Sequence, residues 1–327
     1  VRIPKVSVCI PTYNGASYLG QAIESVLAQD FEDFEVVICD DASTDGTPEL
    51  CSRYEDLRIR YIRFEENAGQ AGNFNRCFRE AKGELLTLLS ADDYFLPGLL
   101  SECVARLNEH SEAGFVVGAT ENVDAASLHL STSRRWPEDR YFQRGEFFEH
   151  LLLGAVVNTL SLVVRRERLE KGGYFRTDIT WGHDWEWILR LAENCAVCYV
   201  SRPLAAYRVH DGSGTAEILY AAKNGAQERG ILCDVFERLP ENGDKRRLRR
   251  SAYRALGRRH MYFAEQAILS GRRSVARNNL FYASLADPVL LTRPTFWALA
   301  LGSIGPRTVY THYRSARKAV EPTGTRS

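Results

Sequence analysis

Val36-Val37-Ile38-Cys39-Asp40-Asp41 and Leu85-Leu86-Thr87-Leu88-Leu89-Ser90-Ala91-Asp92-Asp93 decide the fold, because in each an apolar run leads into a pair of carboxylates. Such a run, without polar alternation, reads as a strand buried on both faces, the kind found in parallel sheets covered by helices. Open sheets of that type bind ligands beyond the C-terminal ends of their strands. Four carboxylates at one sheet edge repel one another unless a cation or hydrogen-bond donors satisfy them, which points to a divalent metal and a nucleotide. The plainer reading is that both pairs cap helices or form turns, where Asp is common.

Around these two runs, β and α patterns alternate through the first hundred residues. Val6–Ile10 reads as a strand and Ser17–Gln29 as a helix, with apolar residues at 18, 19, 22, 23, 26 and 27. Thr47–Tyr54 reads as helix, Arg58–Phe64 as strand, and Ala71–Ala81 as a helix closed by Lys82-Gly83. Pro97 opens a helix to about His110, and Gly114–Gly118 follows as a strand. Repeated βα units of this length predict a doubly wound, mostly parallel sheet. Later the pattern loosens, with extended segments at Leu160–Val164, Ala196–Val200 and Leu204–Val209 and a helix at Asp184–Glu193. From about Thr215 it is almost wholly helical. Neither GxGxxG nor GxxxxGK[ST] occurs, so neither a dinucleotide fingerprint nor a P-loop carries phosphates here.

The 327 residues, 45% hydrophobic and 26% charged, suit an ordinary globular protein and exclude collagenous and disordered classes. Net charge is zero but unevenly divided: residues 1–243 hold 25 Lys and Arg against 38 Asp and Glu, whereas residues 244–327 hold 17 against 4. That basic tail calls for an anionic partner. The chain enters its first strand without the pattern of a signal peptide, so a cytoplasmic location is expected. The longest uncharged apolar stretch, Leu151 to Val164, is 14 residues and too short to span a bilayer. The eight cysteines lie mostly within apolar runs and read as buried thiols; Cys195 and Cys198 have metal spacing but lack a second ligand pair.

Val6-Ser7-Val8-Cys9-Ile10-Pro11-Thr12-Tyr13-Asn14, Cys39-Asp40-Asp41-Ala42-Ser43-Thr44-Asp45-Gly46-Thr47 and Ser90-Ala91-Asp92-Asp93, in that order and spacing, resemble the family 2 glycosyltransferases of GT-A fold. Asn67, Gly69 and Asn75 with Ala81-Lys82-Gly83-Glu84 resemble the family's link between its third and fourth strands. Gly182-His183-Asp184-Trp185 and Tyr207-Arg208-Val209-His210 resemble its acceptor-side and closing motifs. The resemblance spans roughly residues 4–215. It implies a nucleotide-sugar-binding α/β half over residues 1–125 and an acceptor-binding half of the same GT-A domain over 126–215; residues 216–327 fall outside it and read, from their charge and pattern, as a basic helical C-terminal region.

The resemblance also implies roles. Asp93 would hold Mn²⁺ or Mg²⁺ on the donor diphosphate, and Asp92 would meet the ribose or the donor sugar. Ala91 stands where the family's acidic triplet has its first acid. Asp41 would accept the base N3–H, with Pro11, Thr12, Tyr13 and Asn14 flanking the ring; uracil and thymine both offer that N–H, so UDP and dTDP donors are not separated. Asn67, Asn75 and Arg208 would complete the donor site, and His210 would supply a further metal ligand or a structural contact. Asp184 would be the catalytic base that inverts the anomeric carbon, with capping of the next helix as its structural alternative. Trp181, His183 and Trp185 would lie on the acceptor side, where aromatic faces suit sugar C–H groups.

The expected activity is transfer of a sugar to a glycan or lipid-linked acceptor in polysaccharide biosynthesis. Two alternatives remain: a nucleotidyltransferase, which would need a Gly-rich basic loop after the first strand, and a non-catalytic nucleotide-binding scaffold. Lys245-Arg246-Arg247-Leu248-Arg249-Arg250, with Tyr253, Leu256, Tyr262, Phe263 and Leu269 beyond it and the apolar Phe296–Leu301 next to Arg307, suits either a helical region lying on anionic lipid at the inner face of a membrane or a packed subdomain with a solvated basic face. Nucleic acid is not an expected partner, since no recognition motif accompanies the charge.

Overall fold

The computed structural model describes residues 2–154, 157–210, 224–241 and 243–305. β1 (Val6–Thr12), β2 (Phe34–Asp40) and β4 (Leu85–Leu88) are buried at every residue, as mainly apolar strands covered on both faces are, and the buried Ser7 hydroxyl donates to Glu35 Oε1 across β1 and β2. β1 lies between the other two, parallel to both. Outside β2 runs β3 (Ile59–Arg63), also parallel. Each crossover is helical: α1 (Leu19–Leu27) leads to β2, α2 (Thr47–Cys51) to β3 and α3 (Gly69–Glu80) to β4.

Beyond β4 the order continues through β9 (Val163–Arg165), β6 (Ala113–Val123), β10 (Ala196–Arg208) and β5 (Tyr94–Phe95), giving β3-β2-β1-β4-β9-β6-β10-β5. β9 is antiparallel to both of its neighbours, while β6 and β10 run parallel to each other. Two short strands, β7 (His129–Ser133) and β8 (Arg140–Phe142), add antiparallel edges to β6 and β10. The C-terminal ends of β1, β2, β4, β6 and β10 therefore point the same way. This is the mostly parallel sheet that the alternating pattern predicts.

Pro11 is placed by its missing N–H. The Leu89 N–H donates to the Cys9 carbonyl, so residues of that parity face β4, and pairing with β4 stops at Cys9↔Leu88. Pro11 leaves no ladder bond unmade. Gly83, which reads in the sequence as a helix cap, serves close approach instead: α3 ends at Glu80, and a Cβ on Gly83 would come within 2.6 Å of the Ser7 nitrogen.

Several elements differ from the sequence reading. The expected strands Ala196–Val200 and Leu204–Val209 are one, with Pro203 at the register shift that absorbs Ser201 and Arg202. Within Leu160–Val164, Thr159–Ser161 forms a 3₁₀ turn before β9 begins. α4 (Leu99–Glu109) starts after Gly98, which takes φ 80°. β5, β7 and β8 carry no legible period at two to five residues, and α5 (Glu146–Leu152) and α6 (Arg166–Gly172) are only seven residues long. α7 (His183–Ala192) lies where a helix is expected. Seven of the eight cysteines are buried, Cys233 is half-buried, and all are free.

Contacts group residues 1–151 with 155–211 as one unit and 152–154 with 212–327 as another. The boundary expected near residue 215 lies outside the described residues. The second unit is helical: α8 (Asn224–Arg238), α9 (Gly243–Leu269), α10 (Arg273–Ala286), a 3₁₀ turn at Pro288–Thr292, and α11 (Pro294–Ile304). Ala264, Ala267, Ala276 and Ala283 let its helices approach, and Ile268, Leu280, Phe296 and Leu299 fill the contact. No helix among the described residues is long and apolar enough to cross a membrane.

Candidate active site

The two acidic pairs end on the same side of the sheet and differ in what they do. Asp40, the last residue of β2, is fully buried; its carboxylate accepts the Ser43 N–H at 2.8 Å and the Tyr61 hydroxyl at 2.5 Å. It organises the turn, in which Ala42 takes φ 66°. Burial first, and then the Asp40 bond, push the Tyr61 hydroxyl pKa up, so Tyr61 stays a donor.

Asp41 is 1% exposed and takes two donors on one oxygen: the Ala68 N–H at 2.9 Å and Arg76 Nη1 at 2.6 Å. The Arg76 guanidinium also donates to the Glu66 carbonyl and lies 4.3 Å from the centre of the Phe64 ring. Arg76 is thus committed to Asp41, whereas Arg79 lies over Tyr174. In front of them, the loop after β1 is zipped to the loop after β2. Asn14, at φ 51°, donates its N–H to the Ser43 hydroxyl and accepts the Thr44 N–H on Oδ1 at 2.8 Å. Asn is among the few residues that take this conformation readily. Thr12 is buried, with no partner for its hydroxyl and with its carbonyl accepting the Asp41 N–H; Pro11 is buried beside it, and Tyr13 is 53% exposed. Asn73 Nδ2 ties the ends of β1 and β2 through the Thr12 and Cys39 carbonyls, a contact that no sequence motif marks.

The second pair is positioned by β5. This two-residue strand follows Asp93 directly and pairs with Ala205 and Ala206 of β10. The pairing brings the loop after β4 against the end of β10, more than a hundred residues away in sequence. The Arg208 N–H donates to Asp93 Oδ1 at 2.7 Å, and His210 Nε2 lies 3.1 Å from Asp92 Oδ2. Asp92, Asp93, Arg208 and His210 therefore converge.

Arg208 itself faces inward. It is 1% exposed, and its guanidinium donates to the carbonyls of Asp92, Asp124 and Ala125, to the Ser127 hydroxyl and to Gln21 Oε1, while Tyr18 lies 4.5 Å beneath it. Tyr18 also packs against the His210 ring at 5.3 Å. Tyr18, Gln21 and Ser127 are parts of the site that the sequence does not reveal, since their only signal is position on α1 or in an unpatterned loop.

Asp93 is 3% exposed, and burial followed by the neighbouring Asp92 charge raises its pKa well above the ordinary carboxylate value, against the bond and charge of Arg208. A buried anion in this state is relieved by a cation. Among the described residues no group of three or more His, Cys, Asp or Glu is placed to hold a metal ion by itself. The donor set fits an ion of the Mg²⁺ or Mn²⁺ kind, held by one or two carboxylates and completed by substrate phosphate.

The acceptor-side residues stand at the start of α7, whose N-cap is Gly182 at φ 73°, so Asp184 is not the cap. Asp184 is exposed and accepts the Trp185 N–H at 2.8 Å. The His183 ring packs near Phe74 and Phe175 with Nδ1 buried and unpartnered; burial lowers its pKa against the Asp184 charge, which keeps the imidazole neutral. Trp185 donates its indole N–H to the Leu151 carbonyl, Trp187 is core, stacked on Phe175, and Trp181 is half-buried. Asn75 makes two 2.9 Å bonds with the Phe175 backbone, one to its carbonyl and one from its N–H, and so anchors the segment before α7. Asn67 accepts the Gly69 N–H and starts α3.

The family model described as Glycosyl transferase family 2 matches residues 7–170. An uncharacterised glycosyltransferase of Rickettsia typhi is 29% identical over 65% of this chain and 66% of its own length. Hyaluronan synthase of Pasteurella multocida is 30% identical over 74% of this chain, which spans only 24% of that longer protein. In three dimensions the chain is similar to residues 1–349 of Staphylococcus aureus TarS, solved with UDP-GlcNAc, with TM-score 0.70 and 19% identity over 95% of this chain and 92% of that one. That likeness shows the fold, a GT-A α/β domain followed by a helical region.

Proposed function

The chain belongs to glycosyl transferase family 2, and on that premise we propose that it is a metal-dependent, inverting glycosyltransferase moving a sugar from UDP or dTDP to a glycan or lipid-linked acceptor in polysaccharide biosynthesis. The observation that carries the reading is the convergence of Asp92, Asp93 and His210 at the ends of β4 and β10, beside the loops that follow β1 and β2. The UDP-GlcNAc bound to TarS and the polysaccharide synthases among the relatives support it.

In this reading the free oxygen of Asp41 accepts the base N3–H while Arg76 and Ala68 hold the other, and Pro11, Thr12, Tyr13 and Asn14 wall the base. Asp92 meets the ribose or donor sugar. Asp93, with His210 against the neighbouring Asp92, would hold Mn²⁺ or Mg²⁺, which when bound neutralises charge on the departing diphosphate. Arg208 acts from beneath, fixing Asp93 through its N–H and the Asp92 backbone through its guanidinium. Asn67 shapes the donor side through its bond to the Gly69 N–H ahead of α3, whereas Asn75 holds the Phe175 backbone ahead of α7.

Asp184, exposed on the first turn of α7, takes the proton of the acceptor hydroxyl as that oxygen attacks the anomeric carbon. The bond from that carbon to the diphosphate oxygen breaks with its electron pair leaving on the nucleotide, and configuration inverts. Neutral His183 and the ring of Trp185 border this face, with Trp181 offered to the sugar. The surplus of basic residues from 244 onward supports a cytoplasmic enzyme working against the anionic inner face of a membrane.

The test is a thermal-shift panel of UDP, dTDP, GDP, CMP and ATP with and without Mn²⁺, followed by transfer assays on the sugar nucleotides of the base that binds. A ligand at a hundred times its Kd adds about 2.7 kcal/mol of stability. Asp184→Asn is expected to keep donor binding and lose roughly 10²–10⁴-fold in transfer rate. Normal transfer by that variant removes Asp184 as the base, and absence of any diphosphate-dependent shift removes the donor site.

A further inference from the structure

Helix α11 carries no charged residue along its eleven positions, yet it lies at the surface of the helical unit. One face is accounted for: Phe296 and Leu299 pack into the cluster of Ala264, Ile268, Leu280 and Ala283. The other is not. Trp297, Leu301 and Ile304, spaced by four and three, form a single stripe and are 54%, 61% and 70% exposed. Val289 and Leu291 of the preceding turn are exposed as well, and the Trp297 indole N–H donates to the Leu291 carbonyl at 2.8 Å, which holds the ring beside them. An exposed helix face is ordinarily polar, and this one has no partner among the described residues.

Charge identifies the partner. Arg293 is exposed at the N-terminal end of α11, and Arg277 Nη1 donates to the Ser303 carbonyl at its other end, so arginines bracket the stripe. Residues 243–305 hold twelve Lys and Arg against three Asp and Glu. A second copy of the chain would bring a like-charged surface against this one, whereas an anionic lipid surface neutralises it. At about 1.5 Å per residue the helix is some 16 Å long, too short to span but suited to lie in the headgroup boundary. Tryptophan is favoured at that depth.

We infer that the outer face of α11 docks on anionic lipid, with Trp297, Leu301 and Ile304 entering the headgroup boundary and Arg277 and Arg293 meeting lipid phosphates. This rests on the reading of an enzyme working at an anionic membrane face and assigns that contact to one helix. Docking there would keep the chain where lipid-linked acceptors are presented.

The experiment is co-sedimentation of the full chain with vesicles of phosphatidylcholine alone and with phosphatidylglycerol added. Wild type is compared with the double variant Trp297→Ser, Leu301→Ser. Both side chains are exposed, so the thermal midpoint is expected to hold. The expected result is a salt-sensitive preference for the anionic vesicles and a drop of roughly tenfold or more in vesicle partition for the double variant. Unchanged binding by that variant overturns the role of α11 while leaving the membrane reading to the other arginines. Absence of wild-type binding overturns both, and retained donor-dependent transfer would then leave the enzymatic reading standing. A wild-type dimer in light scattering that the double variant converts to monomer would assign the stripe to a second copy and also overturn the inference.

Discussion

Replacing Asn75 by Ala separates a structural contact from a donor contact. Asn75 is 4% exposed, and its amide makes both hydrogen bonds of the Phe175 backbone, each 2.9 Å. Alanine leaves a buried N–H and a buried carbonyl without partners, at about 1–3 kcal/mol each, so the expected loss is about 2–6 kcal/mol. For a domain of this size each kcal/mol moves the midpoint by about 2–4 °C, and a fall of roughly 4–24 °C is anticipated. Phe175 also packs on Trp187 of α7 and against His183, so freeing its backbone loosens the turn that carries Asp184. The assay pairs urea denaturation with calorimetric titration of UDP below the variant's midpoint. Reduced stability and slower transfer, with UDP affinity within about twofold of wild type, is the outcome this geometry requires. If Asn75→Ala keeps wild-type stability and loses UDP binding, the clamp is not what the side chain is for.

Two other outcomes follow from the same structure. Burial lowers the pKa of both His183 and His260 below the ordinary 6.5. Above about pH 6.5 both are neutral whether folded or unfolded and contribute no slope; below it the unfolded chain binds protons that the folded chain does not, so stability falls as pH falls. Urea midpoints at pH 7.5 and 5.5 should show this decline, and His183→Gln should reduce it; an equal decline in that variant would mean His183 is not held neutral. Asp93→Ala is expected to abolish the gain in UDP affinity that Mn²⁺ confers on wild type, read by titration with and without the metal. A gain that survives would move the cation away from Asp93.

Local sequence determined the strands and their acids. Val36–Cys39 is an unbroken apolar run and Leu85–Leu89 is interrupted only by Thr87, and burial on both faces suits such runs, so the parallel sheet and the carboxylates at its edge could be read directly. The turn role of Asp40 was also within reach, because Ser43 is a neighbour in the chain. Order and spacing of the motifs extended the reading to Asp184, Arg208 and His210. What the side chains do was decided by partners far away in sequence. Arg208 faces inward because Gln21, Asp124 and Ser127 supply acceptors beneath it, and Asn75 clamps Phe175 a hundred residues on. β5 was invisible at two residues, yet its pairing with β10 sets Asp92 beside His210. Hydrophobic periodicity is a property of neighbours along the chain, whereas a hydrogen bond or an ion pair belongs to whichever groups the folded backbone brings within 3 Å. The sequence therefore determined where the chemistry gathers, and the tertiary structure alone decided which groups hold the site and which remain free to act.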